Sequence, residues 1–116
     1  MLPFAEVAVR FAQALVDGRY AEAWHLLTPE TQAEYGPDQL RERFRSMYQG
    51  CAPDAKAERI LFDPEFCGTE SPDSQHGDAG WVYVAIEGVG FMEAVTVVIS
   101  DVGGPLRVRR IVWGRP

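Results

Sequence analysis

The sequence predicts an α+β fold, with N-terminal helices packed on one face of an antiparallel sheet of about four strands. Two observations carry this. Between Ala79 and Pro116 lie three β-branched and aromatic runs, Trp81–Glu87, Phe91–Asp101 and Leu106–Trp113. Gly88-Val89-Gly90 and Gly103-Gly104-Pro105 separate them, and short glycine-bearing spacers between such runs signal hairpins. Ahead of them, residues about 4–49 carry apolar side chains three and four apart, the spacing of amphipathic helices. Helices followed by a strand meander place the helices on one sheet face.

The elements follow in order. Phe4, Val7, Phe11, Ala14 and Leu15 define a helix over about Phe4–Asp17, stopped by Gly18. Arg19-Tyr20 leads into a short helix, Ala21–Leu27, with Trp24 and Leu27 on its packing face. Thr28-Pro29-Glu30 is a helix start: a capping hydroxyl, proline at the first helical position and an acid in the first turn. Gly36-Pro37 ends that helix and starts a fourth, whose stripe is Leu40, Phe44, Met47 and Tyr48 and whose end is Gly50. Lys56–Phe62 forms a first strand that can run on to Phe66 past Pro64, and the proline marks it as an edge. Residues 67–78 are a loop by composition. The whole, 1–116, is expected to be one domain, with helices over about 4–49 and sheet over about 56–113.

Hairpin geometry predicts which residues share a face. A loop at Gly103-Gly104 sets Ile99 opposite Val108, Val97 opposite Arg110 and Val95 opposite Val112. A loop at Gly88-Val89 sets Ile86 opposite Phe91, Val84 opposite Glu93 and Val82 opposite Val95. One face is then apolar except for Glu93 and Arg110. The other carries Trp81, Tyr83, Met92, Ile111 and Trp113. A three-residue first loop, or a bulge there, would flip the first of these strands to the opposite face, whereas the second hairpin is the better defined of the two.

Composition narrows the function classes. The net charge is −6, and residues 63–78 hold five acids, Asp63, Glu65, Glu70, Asp73 and Asp78, with no basic residue. That stretch accounts for nearly all the net charge, so a broad basic surface for nucleic acid is not expected. No apolar run approaches the roughly 20 residues of a membrane helix. No basic segment followed by an apolar stretch opens the chain, so no signal peptide is expected and the expected location is cytoplasmic. Cys51 and Cys67 read as two free thiols, with a bridge between them as the alternative. They lack zinc-ligand spacing, and no phosphate loop, nucleophile elbow or metalloprotease helix is present; no cofactor is expected. Ten arginines against one lysine fit a GC-rich, bacterial coding source.

The segment Asp17-Gly18-Arg19-Tyr20 with Ala23-Trp24 and Leu27-Thr28-Pro29-Glu30, set between an amphipathic helix and a proline-started one, resembles the nuclear transport factor 2-like superfamily. The resemblance covers nearly the whole chain. It implies a cystatin-like cone, in which a curved sheet wraps the first helix around a pocket. Members include ketosteroid isomerases, SnoaL-like cyclases, dehydratases, transport adaptors and immunity proteins of toxin systems, so fold alone does not choose among them.

Several groups are candidates for function. Glu93 and Arg110, with Trp24 and Tyr20, would line such a pocket. The first two form either an acid–base pair or a structural ion pair. His25 has no orienting partner in the sequence, and His76 reads as a solvated side chain of the acidic stretch. The face bearing Trp81, Tyr83, Met92, Ile111 and Trp113 is a candidate interface, for a protein partner or a second copy. The acidic stretch is a candidate recognition loop for a basic partner, or only a solvated connection. The expectation is a non-enzymatic binding domain of immunity type. The alternative is an isomerase- or cyclase-like enzyme, or a carrier of a small hydrophobic ligand.

Overall fold

Pro3 opens the first helix because its missing N–H is not needed at that position and its φ is already helical. A computed structural model describes residues 1–51, 54–71, 74–102 and 104–115. The helices are α1 (Pro3–Val16), α2 (Tyr20–His25), α3 (Pro29–Glu34) and α4 (Pro37–Gln49). The strands are β1 (Lys56–Gly68), β2 (Asp78–Val89), β3 (Phe91–Ser100) and β4 (Arg107–Trp113). They form one antiparallel sheet in the order β1-β2-β3-β4. The α+β class is therefore as the sequence predicts.

The helix ends follow local chemistry. Beyond α1, the N–H of Gly18 donates to Leu15 O and that of Arg19 to Ala14 O. This paired cap needs a left-handed residue, which Gly18 supplies at φ 76°. Thr28 Oγ1 accepts the N–H of Thr31 at 3.3 Å at the start of α3. The helix α2 stops at His25, two residues before the expected end, because Leu26–Thr28 straightens beside β4. There Val108 N–H donates to Leu26 O at 2.8 Å and Thr28 N–H donates to Val108 O at 2.9 Å. The outer edge of β4 is thus partly covered, which blocks edge-to-edge pairing at that point.

The core lies between the helices and one sheet face. Phe11, Leu15, Leu27, Phe44, Val82, Val84, Ile86, Val95, Val97, Ile99 and Val108 are all buried. Tyr48 stacks on Phe91 with ring centroids 4.5 Å apart and meets Phe44 edge-on at 5.2 Å, tying α4 to β3. Phe4 of α1 lies over Gly80, where an added Cβ would come within 2.6 Å of the ring.

Two corrections to the predicted register matter for function. The turn between β2 and β3 is Val89-Gly90, not Gly88-Val89. Gly90 takes the positive φ, and Gly88 stays in the ladder opposite Phe91. Any side chain at Gly88 would strike the Lys56 carbonyl oxygen at 2.0 Å. Pairing shifts by two residues, so the faces survive: Glu93 lies opposite Ile86 and Val95 opposite Val84. The second correction flips faces. Ile99 pairs with Val108 as predicted, but Val98 pairs with Arg110 and Val97 with Ile111. Arg109 is the extra residue of a β-bulge. It turns Ile111 and Trp113 toward the helices and Arg110 and Val112 away from them.

Candidate functional site

The bulge separates Glu93 from Arg110. Glu93 stays on the helix-facing side, and its Oε1 accepts the backbone N–H of Arg115 at 3.0 Å. It borders a shallow cavity of about 430 Å³ with Arg43, Met47 and Trp113. Arg110 is exposed on the opposite face. The expected acid–base or ion pair therefore does not form. Trp24 and Tyr20 also serve packing. The Trp24 indole N–H donates to Gln32 O at 3.3 Å and Gln32 Nε2 donates back to Trp24 O at 3.1 Å, clamping α2 to α3. Tyr20 packs at the edge of the core. Burial pushes the Tyr48 hydroxyl pKa up, and Tyr20 adds to that rise.

A different set of charged residues converges at the other end of the sheet. A groove of about 810 Å³ is bounded by α3, the turn before β2 and the facing ends of β3 and β4. Its residues include Glu30, Glu34, His76, Ser100, Arg107 and Arg109. The bulge aims Arg109 across the sheet. Its Nε donates to Asp78 Oδ1 at 2.8 Å and its Nη2 to Asp78 Oδ2 at 2.9 Å, a bidentate pair. The Asp78 side chain is only 3% exposed, and Oδ2 also accepts the Gln75 N–H at 2.8 Å. Burial alone would raise this carboxyl's pKa. The hydrogen bonds from Arg109 and Gln75, with the Arg109 charge, outweigh burial and hold it below its ordinary value. Thr31 Oγ1 donates to Arg109 O at 2.6 Å, so α3 pins the bulge itself. Arg107 donates from Nη1 to His25 O.

The acidic stretch is accordingly not one loop. Asp63 and Glu65 lie within β1, where the Asp63 carboxylate accepts the Glu65 N–H at 2.9 Å. Glu70 O accepts the Trp81 indole N–H at 2.9 Å. Asp78 is buried against Arg109. Asp73 lies outside the described residues. Both cysteines are free thiols.

The sheet face away from the helices carries Trp81, Tyr83 and Met92, as predicted, but not Ile111 and Trp113. Those two belong to the core side, where the Trp113 ring meets Tyr35 at 6.3 Å. In their place the outer face exposes Leu61, Phe66 and Val112. Phe66 is 53% exposed and lies 5.8 Å from the Tyr83 ring. Leu61, Phe66, Tyr83 and Ala85 border an apolar dimple of about 170 Å³. Alternation from the Ile60–Ile86 pair could have assigned Leu61 outward. Val112 required knowledge of the bulge.

Among the described residues no cluster of His, Cys, Asp or Glu is placed to hold a metal ion. Among the described residues, no helix is long and apolar enough to cross a membrane. The chain matches no protein-family model, no curated protein and no solved structure.

Proposed function

We propose that the chain is a non-enzymatic protein-binding domain that works through the outer face of its sheet. The carrying observation is the set of large apolar side chains exposed there: Leu61, Phe66, Met92 and Val112 around Tyr83. Exposed apolar groups gathered on one face favour partners, and Tyr, Met and Phe are enriched at interfaces; the Arg59–Glu87 ion pair and Arg110 share the face and would add polar contacts. The whole outer face, charged residues included, spans four strands about 4.8 Å apart and about ten residues long, roughly 650 Å², close to the roughly 800 Å² per partner of a stable complex. A second copy is the first partner to test. The face offers both a dimple and projecting side chains, as a two-fold contact requires.

Two features speak against the enzyme and carrier readings. Glu93 and Arg110 occupy opposite faces. The helix-facing core is closed by Phe11 and Leu15 of α1 and Phe44 of α4, all fully buried. A cone pocket would need to open where these side chains pack. Within the binding class, the resemblance to nuclear transport factor 2-like proteins favours an immunity-type role.

The experiment expresses the product of each neighbouring gene in a bacterial host, with and without this chain. Growth arrest relieved by the wild type but not by a Phe66→Glu variant is the expected result. No arrest from any neighbour, or full relief by the variant, would overturn the immunity assignment. Saturable one-to-one binding of a hydrophobic fluorescent dye would restore the carrier reading.

A further inference from the structure

The groove beside α3 has features that the sheet-face reading leaves unused. Its volume of about 810 Å³ lies within the range of roughly 300–1,000 Å³ typical of small-ligand sites. Two guanidinium groups border it, and each is already held by the protein through one edge. Arg109 gives Nε and Nη2 to Asp78, and its Nη1 takes no part in that pair. Arg107 gives Nη1 to His25 O, and its Nε and Nη2 take no part in that bond. An arginine fixed this way loses little further rotamer freedom when it binds an anion, which is the advantage of a preorganised site.

The charge pattern selects the ligand. Asp78 neutralises Arg109, which leaves Arg107 as the excess cation. Glu30 and Glu34, one turn apart on α3, border the same groove. The groove therefore carries more negative than positive charge, which disfavours phosphate or any dianion. A molecule with one carboxylate and one ammonium group satisfies both sides. Ser100 Oγ already accepts the Val102 N–H at 3.2 Å, so its own proton can be donated outward. Pro29, Val102 and Pro105 supply apolar wall.

We propose that this groove binds a short zwitterionic peptide. The terminal carboxylate lies on Arg107 and Arg109, and the terminal ammonium lies toward Glu30 and Glu34. No bond is made or broken. The site is distinct from the outer-face apolar patch and stands or falls independently of it.

The test is an NMR titration of the full chain with the dipeptide alanyl-alanine, beside its N-acetylated and C-amidated forms. Saturable shifts at Thr31, Ser100 and Arg109 amides are expected. Amidation, which removes the charge-assisted contact, should weaken binding about tenfold. N-acetylation should weaken it less, because its glutamate partners are exposed. Arg107→Gln should mimic amidation, and Glu34→Gln should mimic acetylation. Both positions are on the surface, and comparison of the modified peptides with the unaltered protein reads the same contacts should either variant fold poorly. Absence of saturable shifts on the folded protein, or equal binding of the amidated peptide, would overturn the proposal.

Discussion

Arg109 and Asp78, 31 residues apart, form a bidentate ion pair, with bonds of 2.8 and 2.9 Å. The pair exists because β4 bulges at Arg109 and because Asp78 begins β2 rather than ending a loop. Asp78→Asn keeps the shape but leaves Arg109 without its countercharge. Arg109 is 22% exposed, so solvent recovers part of the loss. A destabilisation of about 2–3 kcal/mol is expected, somewhat below that of a fully buried pair. Chemical denaturation checks it.

The same pair sets a pH dependence. The folded pKa of Asp78 lies below its unfolded value of 3.8. Its stabilisation is therefore complete above that value and is lost as pH falls through the lower, folded value. The melting temperatures of wild type and Asp78→Asn should differ by a constant amount near neutrality and converge in acid, below about pH 4. A gap that persists unchanged at the lowest pH where the protein folds would show that the carboxylate charge is not its source.

Glu93→Gln should be nearly silent. The carboxylate has no buried cationic partner. It accepts one backbone N–H, from the exposed C-terminal segment, and Arg115 Nε lies 3.9 Å away. An amide can still accept that N–H, so the expected cost is under about 1 kcal/mol. A loss of several kcal/mol in urea titration would mean that the Glu93 charge is held by more than this.

The difference between these two acids shows what a sequence can and cannot disclose. Elements whose limits depend on adjacent residues were legible: Gly18 after α1, Thr28-Pro29 before α3 and Gly36-Pro37 before α4. Face assignments held where alternation ran unbroken, as through Val82, Val84 and Ile86. They failed at Arg109, because that bulge depends on distant groups. Leu26 and Thr28 take the free edge of Val108, and Thr31 takes the Arg109 carbonyl. No local pattern encodes contacts some 80 residues away in the chain. The face change then carried Ile111 and Trp113 inward and broke the apparent Glu93–Arg110 pair. The partner of Asp78 is hidden from the sequence for the same reason. Composition counts an acid but not its partner.

Thr31 should be sensitive out of proportion to its size. It is buried, and its hydroxyl links the Thr28 cap to the Arg109 carbonyl. Thr31→Val preserves the volume and leaves the carbonyl oxygen without its donor. The expected loss is about 1–3 kcal/mol, the cost of an unsatisfied buried polar group. Hydrogen exchange should quicken at Thr28 and Val108, whose N–H groups close the contact with β4. A change confined to α3, with Val108 protection intact, would show that the hydroxyl caps the helix but does not hold the bulge.

The outer face gives a prediction with a built-in control. Phe66 and Trp113 are both large aromatic residues on strands, but the bulge places them on opposite sides of the sheet. Phe66→Glu replaces an exposed ring on the apolar face. It should cost the fold little, within about 0.5 kcal/mol, as surface changes usually do. It should nevertheless reduce a dimer to a monomer, because two carboxylates would meet apolar side chains across the contact. Trp113→Glu places its charge beside Tyr35 and the core, so it should lower stability by about 2–4 kcal/mol through lost packing and desolvation. Light scattering over a range of concentrations, run beside thermal denaturation, separates the two effects. A wild-type protein that stays monomeric at high concentration would remove the second copy as the partner of this face. A dimer disrupted by Trp113→Glu at unchanged stability, but not by Phe66→Glu, would return Trp113 to the outer surface and contradict the bulge.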